Sequence, residues 1–322
     1  QVAALTAAQL GVITATKLAG LDETQVGAFT TTQMAALSTS QLAAFNATKV
    51  SAFADTQIAA LSATQVRAFT VTQLNALQAA DIGEFTTTQI TGMSTTQIAG
   101  MNATVVGALT DTQIGAMTAT QLQAMVAANV HALNATQVAG LDNTQVASLT
   151  AAQITAMDAT DIGEFSADQI AHMTTTQIKA FNSTKLAALD ESQVAALTAT
   201  QLQAITTTNI SAFTATQMQN LTLAQIGAFS AQQIGAFSNA NLAALDVSQI
   251  AALSTTQAKA LTATQIGALA ASDVAEFTET QIAAFSTSQI AALTATNVTS
   301  LSDSQVAAMT TTQIAKLDAG AF

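Results

Sequence analysis

The chain has 322 residues, half of them apolar, 8% charged and 4% aromatic, with no Pro, Cys, Trp or Tyr. A net charge of −12 with only seven Lys and Arg leaves no basic patch for nucleic-acid phosphates, and the absence of Cys excludes disulfides. Apolar runs such as QIAAL are interrupted every eight residues, so nothing approaches the roughly 20 residues of a membrane-spanning helix, and no membrane insertion is expected.

Gln1–Leu5 start in mid-repeat without a Met, as expected for a piece of a longer array. From Thr6 to Leu317 the chain counts in eights without insertion or deletion, giving 39 units. Residues 1–322 therefore read as a single octapeptide-repeat array. The consensus is [T/S/D/N]-x-[T/S]-Q-[I/V/L]-x-A-[L/F/M]. Position 5 is Ile, Val, Leu or Met in every unit except at Ala258, and position 1 departs from Thr, Ser, Asp or Asn at Ala54, Gln78, Val126 and Ala270.

Three backbones compete for such a repeat. In one continuous helix eight residues overshoot two turns by about 80°, and the apolar spot spirals round the helix with no face to bury. In a strand, positions 5 and 8 point to opposite faces. A short helix restarted in every unit fits instead. Position 1 supplies the N-cap oxygen and the Gln three residues later completes a capping box, as in TTTQITGM (Thr86–Met93) and STTQIAGM (Ser94–Met101). The charges agree. Sixteen of 19 acids fall at positions 1–4, while Arg67, Lys179, Lys259 and Lys316 fall late, the bias a helix dipole favours. Lys17, Lys49 and Lys185 at position 4 run against it.

Positions 5 and 8 share one face, the core. Positions 2 and 6 should face solvent, and the Ala or Gly at position 7 leaves room for a neighbouring unit. A helix of about two turns is unstable alone, so the expected fold is all-α: a solenoid of short helices, one per repeat, around a continuous apolar seam. With two units per layer and layers about 9–10 Å apart, the rod would be roughly 180–200 Å long.

Along the chain, candidate sites are few. The sharpest is DIGEF at Asp81–Phe85, repeated at Asp161–Phe165, with DVAEF at Asp273–Phe277. Each time position 4 becomes Asp as position 7 becomes Glu. The pairs Asp81/Glu84, Asp161/Glu164 and Asp273/Glu276 thus lie three apart on one helical face and could share a hard cation such as Ca²⁺. His131 and His172 read as surface histidines, with no Cys or third His for a zinc or Ser-His-Asp site. The nine Met and twelve of the thirteen Phe, at positions 5 or 8, read as core. Thr runs such as Thr30–Thr32 and Thr310–Thr312 explain themselves through capping, yet also offer regular rows of hydroxyls for ice or a polysaccharide. At the end, Asp318–Phe322 break the octad without offering a polar capping face.

Octads such as TTTQMAAL (Thr30–Leu37) and STSQIAAL (Ser286–Leu293) resemble the LTTxQIAAL repeats of very large bacterial exoproteins, commonly labelled heme-utilisation or adhesion proteins. The resemblance implies a secreted or surface-attached structural or adhesive role in a Gram-negative bacterium. Nothing in the residues supports heme: the Met look buried and neither His sits in a ligand setting. The expected function is therefore non-catalytic and extracellular, a filament, sheath or surface stalk whose partner is itself, head-to-tail or laterally. The alternative is an adhesin binding glycan or ice, with surface polysaccharide as partner. No cofactor is expected beyond the Ca²⁺ of the acidic pairs.

Overall fold

The computed structural model describes residues 1–317; the octad-breaking segment 318–322 lies outside them. The chain divides into two compact units, Gln1–Phe165 and Ser166–Phe322. Both are solenoids of short helices, with 38 α-helices and no strand among the described residues. Each octad contributes one helix, except residues 206–213, which wind as the 3-10 turn Ile210–Ala212.

The restart mechanism is local. In Thr87–Gly92, the Thr86 hydroxyl accepts the Gln89 N–H at 3.2 Å while Gln89 Oε1 accepts the Thr86 N–H at 2.7 Å. These bonds satisfy two of the donors that every helix start leaves open. The helix stops when Met93 turns extended (φ −66°, ψ 145°), and Ser94 follows in the same region (φ −76°, ψ 155°) as the next cap. Two extended residues thus link successive helices, and no residue among those described needs a positive φ. The array turns without the left-handed glycine that closes many helices.

Within each unit helices pack against those three repeats away: Ala63–Val66 on Thr87–Gly92 and Thr95–Gly100 on Ala119–Ala124 in the first, Ala231–Gly235 on Thr255–Ala260 in the second. Hydrogen bonds reach four repeats back. Gln121 Nε2 donates to the carbonyls of Ile90 (2.8 Å) and Met93 (2.9 Å), and Gln249 Nε2 to those of Met218 (2.9 Å) and Leu221 (2.7 Å). A turn of either solenoid therefore holds between three and four repeats. This corrects the expected layer of two: an eight-residue unit has one apolar face, and enclosing a core takes at least three of them.

Positions 5 and 8 form that core as expected. Ile58, Ile90, Ile114 and Ile250 are fully buried and Met93, Leu109 and Leu253 nearly so. Rings from successive repeats meet inside the turn, Phe45 with Phe53 at 5.8 Å and Phe229 with Phe237 at 5.2 Å, both edge-on. Position 2 is more covered than expected. A Cβ on Gly92 would lie 2.7 Å from Ala63 Cβ, and one on Gly100 2.6 Å from Val71 Cγ1. Position 7 of one repeat thus seats on position 2 of the repeat three before it, which partly buries Ala63 and Val71.

Candidate functional site

The residue that organises the turns is at position 4. Gln was expected there as half of a capping box, a role that occupies only its oxygen. Its carboxamide is buried (Gln89 is 2% exposed, Gln249 2%) and its nitrogen ties the helix to the turn below. One side chain therefore satisfies a helix N-terminus in its own repeat and the position 5 and 8 carbonyls four repeats back. The position 8 carbonyl is among the orphans that a helix C-terminus leaves, whereas the position 5 carbonyl also accepts the position 8 N–H of its own repeat, as Ile58 does from Leu61 at 3.1 Å. In sequence the second function is silent, because its partners lie 28 and 31 residues away.

Substitutions at position 4 show what this place requires. Asn keeps the donor: Asn129 Nδ2 bonds the Met101 carbonyl at 2.7 Å and Asn297 Nδ2 that of Leu269 at 3.1 Å. Lys49 keeps it with a charge, its ammonium donating to the Ala19 carbonyl. Val105 removes it. There the missing acceptor comes from Asn75, position 6 four repeats back, whose Oδ1 takes the Asn102 N–H at 2.9 Å.

The three DxxE motifs fall at this same place. Each Asp turns back to cap its own helix: Asp81 Oδ2 accepts the Gln78 N–H at 2.8 Å, Asp161 Oδ2 the Asp158 N–H at 2.7 Å, and Asp273 Oδ2 the Ala270 N–H at 3.2 Å. Asp81 and Asp161 are buried, Asp273 half-buried. None carries an amide to offer the turn below. At Asp81 the donor is shifted to the unusual cap Gln78, whose Nε2 reaches the Ser51 carbonyl at 3.3 Å. Burial holds the Asp81 carboxyl above its ordinary range against the Gln78 N–H, and its acidic neighbour is Asp55 rather than the exposed Glu84. Burial also raises Glu164, with Asp161 and Asp158 adding to it, and Glu276, with Asp273 and Asp246 adding. Oε2 of both glutamates is enclosed without a hydrogen-bond partner.

At Asp161 the compensating group is a residue read as solvated surface. His131, at position 6 four repeats back, brings Nδ1 to 2.5 Å from Asp161 Oδ2, with the His side chain 46% exposed and the Asp side chain 11%. The bond to Asp161 holds the imidazole above its ordinary pKa. Asp158 Oδ1 caps the helix through the N–H groups of Thr160 (2.7 Å) and Asp161 (3.0 Å), and the Asp161 N–H holds the Asp158 carboxyl below its usual range. Donor atoms of His131, Asp158 and Asp161 all lie within 4.8 Å of one another. His172 stays local, with Nδ1 2.8 Å from the Asp168 carbonyl oxygen.

The Thr rows line an open groove of about 530 Å³ in the second unit, bounded by Thr255, Thr256, Thr287, Thr310 and Thr312 with Lys259 beside them. No helix among the described residues is long and apolar enough to cross a membrane. No curated protein matches the chain. The ALTTAQ repeat family model matches residues 170–207, 234–271 and 282–319, all in the second unit, so these stretches of the octapeptide array are similar to ALTTAQ repeats in three tandem copies.

Proposed function

We propose that this repeat protein is a non-catalytic, extracellular structural element, forming or contributing to a filament, sheath or surface stalk by stacking of its helical repeats. The observation that carries this reading is the uniformity of the turn-to-turn interface. Within each unit the same carboxamide-to-carbonyl bonds recur from turn to turn, as from Gln33 to Val2 and Leu5 in the first and from Gln313 to Ile282 and Phe285 in the second, apart from the position 4 exceptions described above. An interface that repeats in this way sets no limit on its own propagation, and a heterologous contact that does not close makes a filament. Further copies of the same chain stack head-to-tail through it. The extracellular setting follows the resemblance to bacterial exoproteins.

Negative-stain electron microscopy of purified protein in plain buffer tests the reading. Fibres much longer than one chain, dissociating on dilution, support head-to-tail assembly. Single short particles at every concentration remove it, and favour the second reading, an adhesin or glycan-binding module using the Thr-lined groove. That module would lose binding when Thr256 or Thr287 is replaced by a bulky residue.

A further inference from the structure

We propose that His131, Asp158 and Asp161 form a binding site for one late first-row divalent cation, such as Zn²⁺ or Ni²⁺. The donor atoms already lie within 4.8 Å of one another. An ion with nitrogen and oxygen ligands at about 2.0–2.2 Å separates neighbouring donors by about 3–3.5 Å, so the His131–Asp161 pair at 2.5 Å opens slightly to admit it while Asp158 supplies the third donor. An imidazole with two carboxylates suits zinc or nickel, whereas Ca²⁺ asks for six to eight oxygens.

The position in the lattice supplies a separate argument. At Gln121, Asn129 and Lys49 the position 4 side chain contributes a donor across the turn, the Lys49 amine to the Ala19 carbonyl. At Asp161 the repeat register instead brings a carboxyl group, which has no amide to donate, against the turn that carries Ala127–His131, where it meets His131 Nδ1. A buried carboxyl group needs a polar or charged partner. His131 is placed to supply it directly, or to complete a metal's ligand set. The site is pre-organised, because Asp161 is anchored by the Asp158 N–H and Asp158 Oδ1 by two N–H groups of its own helix, which leaves Oδ2 for the ion. It is also reachable, since His131 and Asp158 are exposed. The other two acidic repeats have no histidine. Asp81 meets Gln78 and Asp55, and Asp273 meets Ala270 and Ser272. One ion per chain follows.

Isothermal titration of the full chain with Zn²⁺ and Ni²⁺ at pH 7.5 in a non-chelating buffer tests this. We expect saturable 1:1 binding that H131Q abolishes, D158N weakens by about tenfold or more, and H172Q and D81N leave unchanged. Circular dichroism of H131Q, altered only at a half-exposed side chain, verifies that the variant is folded. Absent saturation below about 1 mM metal, binding that survives H131Q, or binding lost in H172Q would overturn the proposal. So would three Ca²⁺ ions per chain competing with Zn²⁺, which would place binding at the acidic motifs in general.

Discussion

Repeats 86–93 and 158–165 both start with a capping box and both bury an Ile at position 5 and a large apolar side chain at position 8, Met93 in one and Phe165 in the other, and what sets them apart across the turn is position 4. Gln89 caps its own helix and donates to Ile58 and Leu61 of the turn below. Asp161 caps its own helix and receives from the turn below, through His131. In the first repeat one neutral side chain satisfies both its own helix start and the carbonyls of the turn below. The second has kept the cap and given up the tie, and needs a residue in another repeat to restore contact. Local helix formation and attachment between turns are thus separable functions of one position.

The largest effect should be common to both repeats. Ile90→Ala and Ile162→Ala each remove a fully buried side chain and should cost about 2–5 kcal/mol, read as local loss of hydrogen-exchange protection. A large cost in only one would show that the two repeats do not share a core. Next, Gln89→Leu keeps the volume but strips the Ile58 and Leu61 carbonyls of a donor, for about 3 kcal/mol. Gln9→Leu, at an exposed residue with only its local cap bonds, should cost less than about 1 kcal/mol. Equal costs in urea unfolding would mean that the tie contributes nothing.

Asp81→Gln sharpens the comparison in the opposite direction, restoring the amide and stabilising by about 1 kcal/mol at neutral pH. Because the folded Asp81 carboxyl titrates above its ordinary value of 3.8, its ionisation opposes folding at neutral pH. That penalty is relieved as pH falls through the raised value and is gone below 3.8. The advantage of the variant should therefore shrink with acidification; a constant gap from pH 7 to pH 4 would assign it to hydrogen bonding alone. Smallest, Thr86→Ala removes the acceptor for the Gln89 N–H and should cost about 1 kcal/mol. The exposed Thr87→Ala should stay within about 0.5 kcal/mol. Thermal melts of the pair distinguish capping from any structural use of the Thr row.

Much of the fold was legible in the octad. The cap at position 1, its Gln partner and the apolar pair at 5 and 8 all act within eight residues, so Thr86, Gln89, Ile90 and Met93 could be assigned by spacing alone. The number of repeats per turn could not, because it depends on the angle between successive helices, set by two extended residues such as Met93 and Ser94. For the candidate site, DIGEF marked Asp161 as an exception. His131 was read as solvent because its partner is 30 residues away, a separation with meaning only once the turn length is known. Asn75 opposite Val105 is the same signal at the same spacing and would have revealed the register.

By itself the amino-acid order determined where each helix starts and stops and which face is apolar, since capping bonds and the i, i+3 geometry are local and cooperate within one octad. Only the tertiary structure decided that a turn holds between three and four repeats and that the Gln amide bonds across it. It likewise decided that Asp161 meets His131, because these contacts join groups 28 to 31 residues apart and exist only when the short helices close around a common core.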